Sequence, residues 1–160
     1  MVPDIGVRSR PVSRDEKDDK RWASQASGSW VSIAFRNSSS NVSKIEQPFG
    51  EIRTPEPLDV AWISENYHDF KNMGMFSTDT NAMDRAVFAD LKPGGTYFIT
   101  DYVAAAGSGT RDTQSLHRID PEVIKREVTA AGFMLEAESN ALMNPSDNLA
   151  ERSRDRAPRN

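Results

Sequence analysis

The stretch from residue 59 to residue 102 constrains this chain more than any other. It holds two short apolar runs, Val60-Ala61-Trp62-Ile63 and Thr96-Tyr97-Phe98-Ile99-Thr100, separated by an amphipathic segment and a Lys92-Pro93-Gly94-Gly95 turn. Runs of β-branched and aromatic residues at this length read as strands. Met83, Val87, Phe88 and Leu91 between them fall on one helical stripe, as in the crossover of a parallel strand pair. Thr80 or Asn81 is placed to cap that helix, and Lys92 falls in its last turn, where a cation suits the dipole. Pro93-Gly94 fits the two central positions of a type II turn. Residues 60–63 are nearly uninterrupted apolar, the pattern of a strand buried on both faces. Open α/β sheets bind ligands beyond the carboxyl ends of their strands, so Ser64-Glu65-Asn66-Tyr67-His68-Asp69 and Asp101-Tyr102 mark the mouth of a site.

Outside this unit the chain divides by composition. Residues 1–29 carry a dense mixed-charge run with neither helical nor alternating period, and read as a disordered or loosely packed segment. Residues 30–143 read as a partial α/β domain, and 144–160 as a disordered tail. Short strands are expected over 30–35 and 41–46, with Pro55 and Pro57 forcing an extended connection into residue 59. Asp120 is a good N-cap with Pro121 at the first helical position; Ile124, Val128 and Ala131 form the buried face, and Gly132 stops the helix. Phe133, Leu135 and Ala137 alternate with Met134, Glu136 and Glu138, so the strand that follows has one wet face and sits near a sheet edge.

The 160 residues suit one domain, but only 37% are apolar, below the ~45–50% usual for globular proteins. The deficit lies at the two ends. A formal charge of −4 with scattered arginines offers no basic face for phosphates, which excludes a general nucleic-acid binder. The absence of cysteine excludes disulfides, thiolate metal sites and a Cys nucleophile. No apolar run approaches the ~18–20 residues of a membrane span, and no hydrophobic secretory segment opens the chain, so no membrane partner and a cytoplasmic location are expected.

Three stretches together resemble the C-terminal half of class I S-adenosylmethionine-dependent methyltransferases: EPLDVAWISENYHDF, the LKPGG turn with its strand, and GSGTRDTQSLHRIDPEVIKREVTAAGF. More narrowly they resemble a bacterial family of predicted methyltransferases in which NYHD and LHRID stretches recur. The resemblance covers roughly residues 41–147. It implies an α/β fold, an incomplete Rossmann-like methyltransferase sheet, mainly parallel with an antiparallel edge strand. It also implies S-adenosylmethionine as cofactor, a small-molecule nucleophile as substrate, and a final strand pairing antiparallel with residues 133–142. The glycine-rich turn that grips the cofactor after the first strand of such enzymes, and the acidic residue after the second, are not present. The chain therefore reads as a truncated or rearranged member, and an in-frame glycine-rich strand-turn-helix segment encoded upstream of Met1 would show a misplaced start. A non-catalytic remnant acting as an interaction module, self-associating through exposed edges near 30–35 or 133–142, is the alternative. An unrelated receiver or nucleotide-binding domain is disfavoured by the lack of an early acidic cluster and of a P-loop.

On this resemblance Gln47 and Phe49 border the adenine, with Phe49 free to stack. Ser64 and Glu65 line the cofactor side of the methyl-transfer face; Asn66, Tyr67 and Asp69 lie on the substrate side. His68 and His117, the only histidines, are candidates for removing a proton from the acceptor, with Asp101 orienting His117. Arg118 is a candidate anchor for a substrate carboxylate. Two histidines without helical spacing do not assemble a ligand set, so no metal is expected. Gly107-Ser108-Gly109-Thr110 lacks the Gly-Lys-Ser/Thr ending of a P-loop and reads as a mobile lid. Glu136 and Glu138 read as the wet face of a strand. A loop-fixing role for either histidine, and a simple turn with a core Phe49, remain open from the residues alone.

Overall fold

A computed structural model describes residues 45–72 and 78–153, together with the backbone pairing of two N-terminal strands, β1 (Asp4–Ser9) and β2 (Trp30–Val31). The expectations for 10–29, for the remainder of the 30–35 strand, for 41–44, for the loop at 73–77 and for the tail beyond 153 lie outside the described residues. Among the described residues the elements in order are β1, β2, β3 (Gln47–Pro48), β4 (Leu58–Ser64), α1 (Thr80–Asp90), β5 (Leu91–Thr100), α2 (Thr113–Leu116), α3 (Pro121–Ala130) and β6 (Phe133–Ser139). Single 3₁₀ turns occupy Phe49–Glu51 and His68–Lys71. The fold is mixed helix and strand around a small open sheet, and no helix among the described residues is long and apolar enough to cross a membrane.

The strand-helix-strand unit forms as its pattern dictates. β4 and β5 pair in parallel, with Ala61 opposite Tyr97 and Ile63 opposite Ile99, and α1 connects them. Met83, Val87 and Leu91 are buried as the stripe requires, packed with Tyr97, Ile99, Val128 and Phe133. Full burial of such side chains stabilises by about 1.5–3 kcal/mol each. The helix starts one residue earlier than expected: Asp79 is the cap, and its carboxylate accepts the Asn81 and Ala82 N–H groups at 3.0 and 3.2 Å. An ionised carboxylate is the better acceptor there than the Thr80 hydroxyl. The helix ends at Asp90, so Lys92 lies in β5 and pairs with Asp59 at 2.7 Å instead of completing the last turn. The positive φ expected at the turn is present, Gly94 having φ 81°.

β4 departs from the sequence reading in one respect. It is not buried on both faces but lies at one edge of the sheet, whose order is β4-β5-β1-β6, with Val60 59% and Trp62 68% exposed. Ala61 and Ile63 face the helices, and Trp62 leans edge-on against Phe98 at 5.8 Å on the open face. An apolar run tells that both faces are hydrophobic, not that both are covered.

β1 lies within the stretch expected to be loosely packed, yet it occupies the middle of the sheet. It pairs antiparallel with β5 (Ile5 opposite Ile99) and with β6 (Gly6 opposite Ala137). The antiparallel partner that β6 needs therefore comes from the start of the chain. Six residues, too few to show a period beside a charge run, were enough once two strand edges were available to take their backbone hydrogen bonds. β6 lies at the other edge, but the alternation read from its sequence does not carry through. Only Phe133 is buried, Leu135 and Ala137 are exposed like Met134, Glu136 and Glu138, and the register with β1 shifts between Gly6 and Val7, because an edge strand is covered only where a helix reaches it. α3 begins at Asp120 and Pro121 and is closed by Gly132 with φ 113°, as read from the sequence. Of the two early strands expected, the first is described at β2, which pairs with β3, and Ile45 and Glu46, the described end of the second, are not in a strand. Residues 144–153, assigned to the tail, are tied back to the domain: Asp147 forms a bidentate pair with Arg118 at 2.7 and 2.8 Å.

Candidate functional site

The end of β4 builds the site. Glu65 adopts a left-handed backbone, φ 58°, while its N–H donates to the Thr100 carbonyl at 2.7 Å. A non-glycine residue held there costs about 1–3 kcal/mol and persists only where neighbouring structure imposes it. The turn carries residues 66–69 back across the end of β5, and each of the four side chains takes a different role.

Asn66 faces a cleft of 570 Å³ that runs along β4, bordered by Gln47, Phe49, Ser64, Asp69 and Phe70. A volume in this range suits a small-molecule ligand. Gln47 is fixed by a reciprocal pair with the Arg53 backbone, its amide donating to the carbonyl and its oxygen accepting the N–H, both at 2.7 Å. Phe49 meets Phe70 edge-on at 4.6 Å. Five expected site residues thus converge on one cavity: Gln47, Phe49, Ser64, Asn66 and Asp69. Glu65 is not among those that line it.

Tyr67 turns the other way. It is fully buried, and its hydroxyl lies 2.8 Å from Asp84 and 2.9 Å from Glu127, so it anchors the loop and cannot contact a substrate. Lys71 and Thr80 complete the network around Glu127. Burial, and next the Asp84 carboxylate, push the Tyr67 hydroxyl far above the ordinary tyrosine range. Burial likewise raises Asp84 to about 7, against the opposing hydrogen bond from Tyr67.

His68 is also fully buried. Its ring Nδ1 lies 2.6 Å from Asp101 Oδ1, and its backbone N–H donates to Asp101 Oδ2 at 2.7 Å. A carboxylate only accepts, so Nδ1 carries a proton, and in the neutral ring Nε2 presents a lone pair. Nε2 faces His117 Nδ1 and Asp69 Oδ1, each 3.2 Å away. Asp101 therefore orients His68, not His117 as the sequence suggested; β5 delivers it beneath the first loop, 33 residues along the chain. His117 reaches the cluster from the far side because it too is left-handed, φ 52°, at the end of α2. Its Nε2 meets Arg152 at 2.7 Å.

Arg118 is not a substrate anchor. Its guanidinium is 1% exposed and committed to Asp147 and to the Val103 and Glu151 carbonyls. The glycine loop is not free either: Asp120 Oδ2 accepts the Gly107 and Gly109 N–H groups at 2.8 and 3.3 Å, which pins it against the start of α3. The same carboxylate fills the place that a phosphate would take. Glu138 pairs with Lys125 on α3 at 2.6 Å, so past the register shift it faces the helix layer instead of continuing the expected wet face. Asp84 and Glu127 were not legible as network members, since each lies on a helix with nothing local to distinguish it from a solvated acid.

Comparison with protein-family models, with curated proteins and with solved structures finds no match to this chain.

Proposed function

We propose that this chain is a methyltransferase-type domain that binds S-adenosylmethionine in the β4 cleft and serves methyl transfer to a small nucleophile. The observation that carries the reading is the convergence of Gln47, Phe49, Ser64, Asn66 and Asp69 on one 570 Å³ cavity. Its chemistry fits the cofactor on two sides. Phe49 and Phe70 offer aromatic surface for a purine, and Asp69 with the Asn66 amide oxygen offers acceptors for an ammonium group. No glycine lines it among the described residues, so the grip on the amino-acid end rests on side chains alone.

The sheet supports the same reading. The resemblance implies a mainly parallel sheet with an antiparallel edge strand beside 133–142; β1 makes that antiparallel pairing, but from inside the sheet and drawn from the opposite end of the chain. On this reading the sheet would be an incomplete and rearranged Rossmann-like one.

The cofactor brings a methyl group on a sulfonium; the protein positions the acceptor and receives its proton. Asp69, at the cleft wall, is the entry to the cluster, with His117, His68 and Asp101 behind it. A second reading, an interaction module, draws on Val60 and Trp62 exposed on edge strand β4.

Isothermal titration with S-adenosylmethionine and S-adenosylhomocysteine, with thermal unfolding in their presence, tests the proposal. Saturable heat and a raised Tm are expected, both reduced in Phe49→Ala. No heat and no protection, together with a molecular mass that grows with protein concentration, would transfer support to the interaction module.

A further inference from the structure

We infer that His68 Nε2, His117 Nδ1 and Asp69 Oδ1 form a binding site for a divalent transition-metal ion of the zinc type. The three atoms are mutually 3.2 Å apart. Tetrahedral donors at bonds of about 2.0 Å lie about 3.3 Å from one another, so an ion seated about 0.8 Å out of their plane reaches all three at bonding distance. A fourth position is left for water or a ligand.

Proton counting points the same way. Asp101 holds the His68 proton on Nδ1, so Nε2 is an acceptor. Arg152 donates to His117 Nε2, so the proton of that ring is on Nδ1. One proton thus serves three mutual contacts. It bridges His117 to His68 and to Asp69, and leaves His68 Nε2 against Asp69 Oδ1 as two facing acceptors at 3.2 Å. Two lone pairs so placed repel unless a metal cation, or a second proton on His68, lies between them. The supporting groups are those of a metal site: a carboxylate on the outer nitrogen of His68, and Asn72 Nδ2 donating to Asp69 Oδ1 at 3.1 Å. The imidazole pair selects zinc, cobalt or nickel over magnesium and calcium, which prefer all-oxygen sites.

Binding of the ion requires His117 to move its proton from Nδ1 to Nε2, which Arg152 opposes from 2.7 Å. Arg152 is exposed, so it acts as a displaceable latch whose removal leaves the fold intact.

The proposal does not depend on the methyl-transfer reading and is tested apart from it, on tag-free full-length protein titrated with Co²⁺. One equivalent should produce the visible absorption bands of a four-coordinate ion and raise Tm; Zn²⁺ should displace it and Mg²⁺ should not. Asp101→Asn should weaken binding about 10–100-fold. His117→Ala and Asp69→Asn should weaken it further, and Arg152→Ala should tighten it. Absence of bands and of any Tm shift in the parent protein would overturn the site and leave a second proton on His68 as what separates the acceptors. Equal Co²⁺ affinity in His117→Ala and the parent would overturn it as well. A protein that binds Co²⁺ but not S-adenosylmethionine would sustain this inference while removing the methyl-transfer one.

Discussion

The Asp101 carboxylate grips His68 at two points, one oxygen 2.6 Å from the ring Nδ1 and the other accepting the backbone N–H at 2.7 Å. It fixes both the tautomer of the ring and the course of the loop that carries it, and its first oxygen also accepts the Tyr102 N–H at 2.7 Å. Both side chains are fully shielded from solvent, so nothing else present can take over either bond.

Asp101→Asn should therefore destabilise the protein by about 1–3 kcal/mol, because one amide N–H₂ group must then face a donor that the carboxylate had satisfied. Urea unfolding at neutral pH measures this as a lower midpoint at unchanged slope. A midpoint within error of the parent would show that the pairing contributes no net stability.

Asp84 gives the stability a pH dependence of unusual sign. Burial raises its folded-state value to about 7, whereas the unfolded chain releases the same proton near 4. Between those values the native state holds more protons, so this residue makes stability fall as pH rises, the penalty being complete above about pH 7. Asp84→Asn removes the penalty. The variant should match the parent near pH 4 and exceed it by about 2–4 kcal/mol at pH 8, as read from urea unfolding at both pH values. A difference that does not grow with pH would contradict a buried, protonated Asp84.

Asp147 behaves in the opposite way. The hydrogen bonds from Arg118 lower its value below the ordinary carboxylate range, so its contribution is present above about pH 4 and fades as pH falls further. Asp147→Asn leaves the Arg118 guanidinium, 1% exposed, without its bidentate partner. A loss of about 1–3 kcal/mol at pH 7 is expected, shrinking as the parent itself protonates in acid. A loss independent of pH down to about 3 would remove the ion pair as its cause.

Much of the fold was legible because its signals are local. The α1 stripe and the Asp120-Pro121 start and Gly132 stop of α3 each depend on residues within one or two turns of one another. The placement of β1 was not, because pairing depends on which edges the rest of the sheet leaves open. The exposure of Val60 and Trp62 was not either, because apolar residues record a preference and not a neighbour.

The same division runs through the candidate site and the 59–102 unit that carries it. The sequence by itself determined that β4 and β5 run in parallel around one helix, and that polar residues collect where they end; spacing and side-chain type suffice for that. Only the tertiary structure decided that Asn66 and Asp69 face a cleft while Tyr67 is buried on Asp84, that Arg118 is an internal strut, and that His117 returns across 49 residues to meet His68. Adjacent side chains on a tight turn point in different directions, and which of them meets a partner is fixed by distant segments, so no local pattern could have told the ligand-facing residues from the anchors.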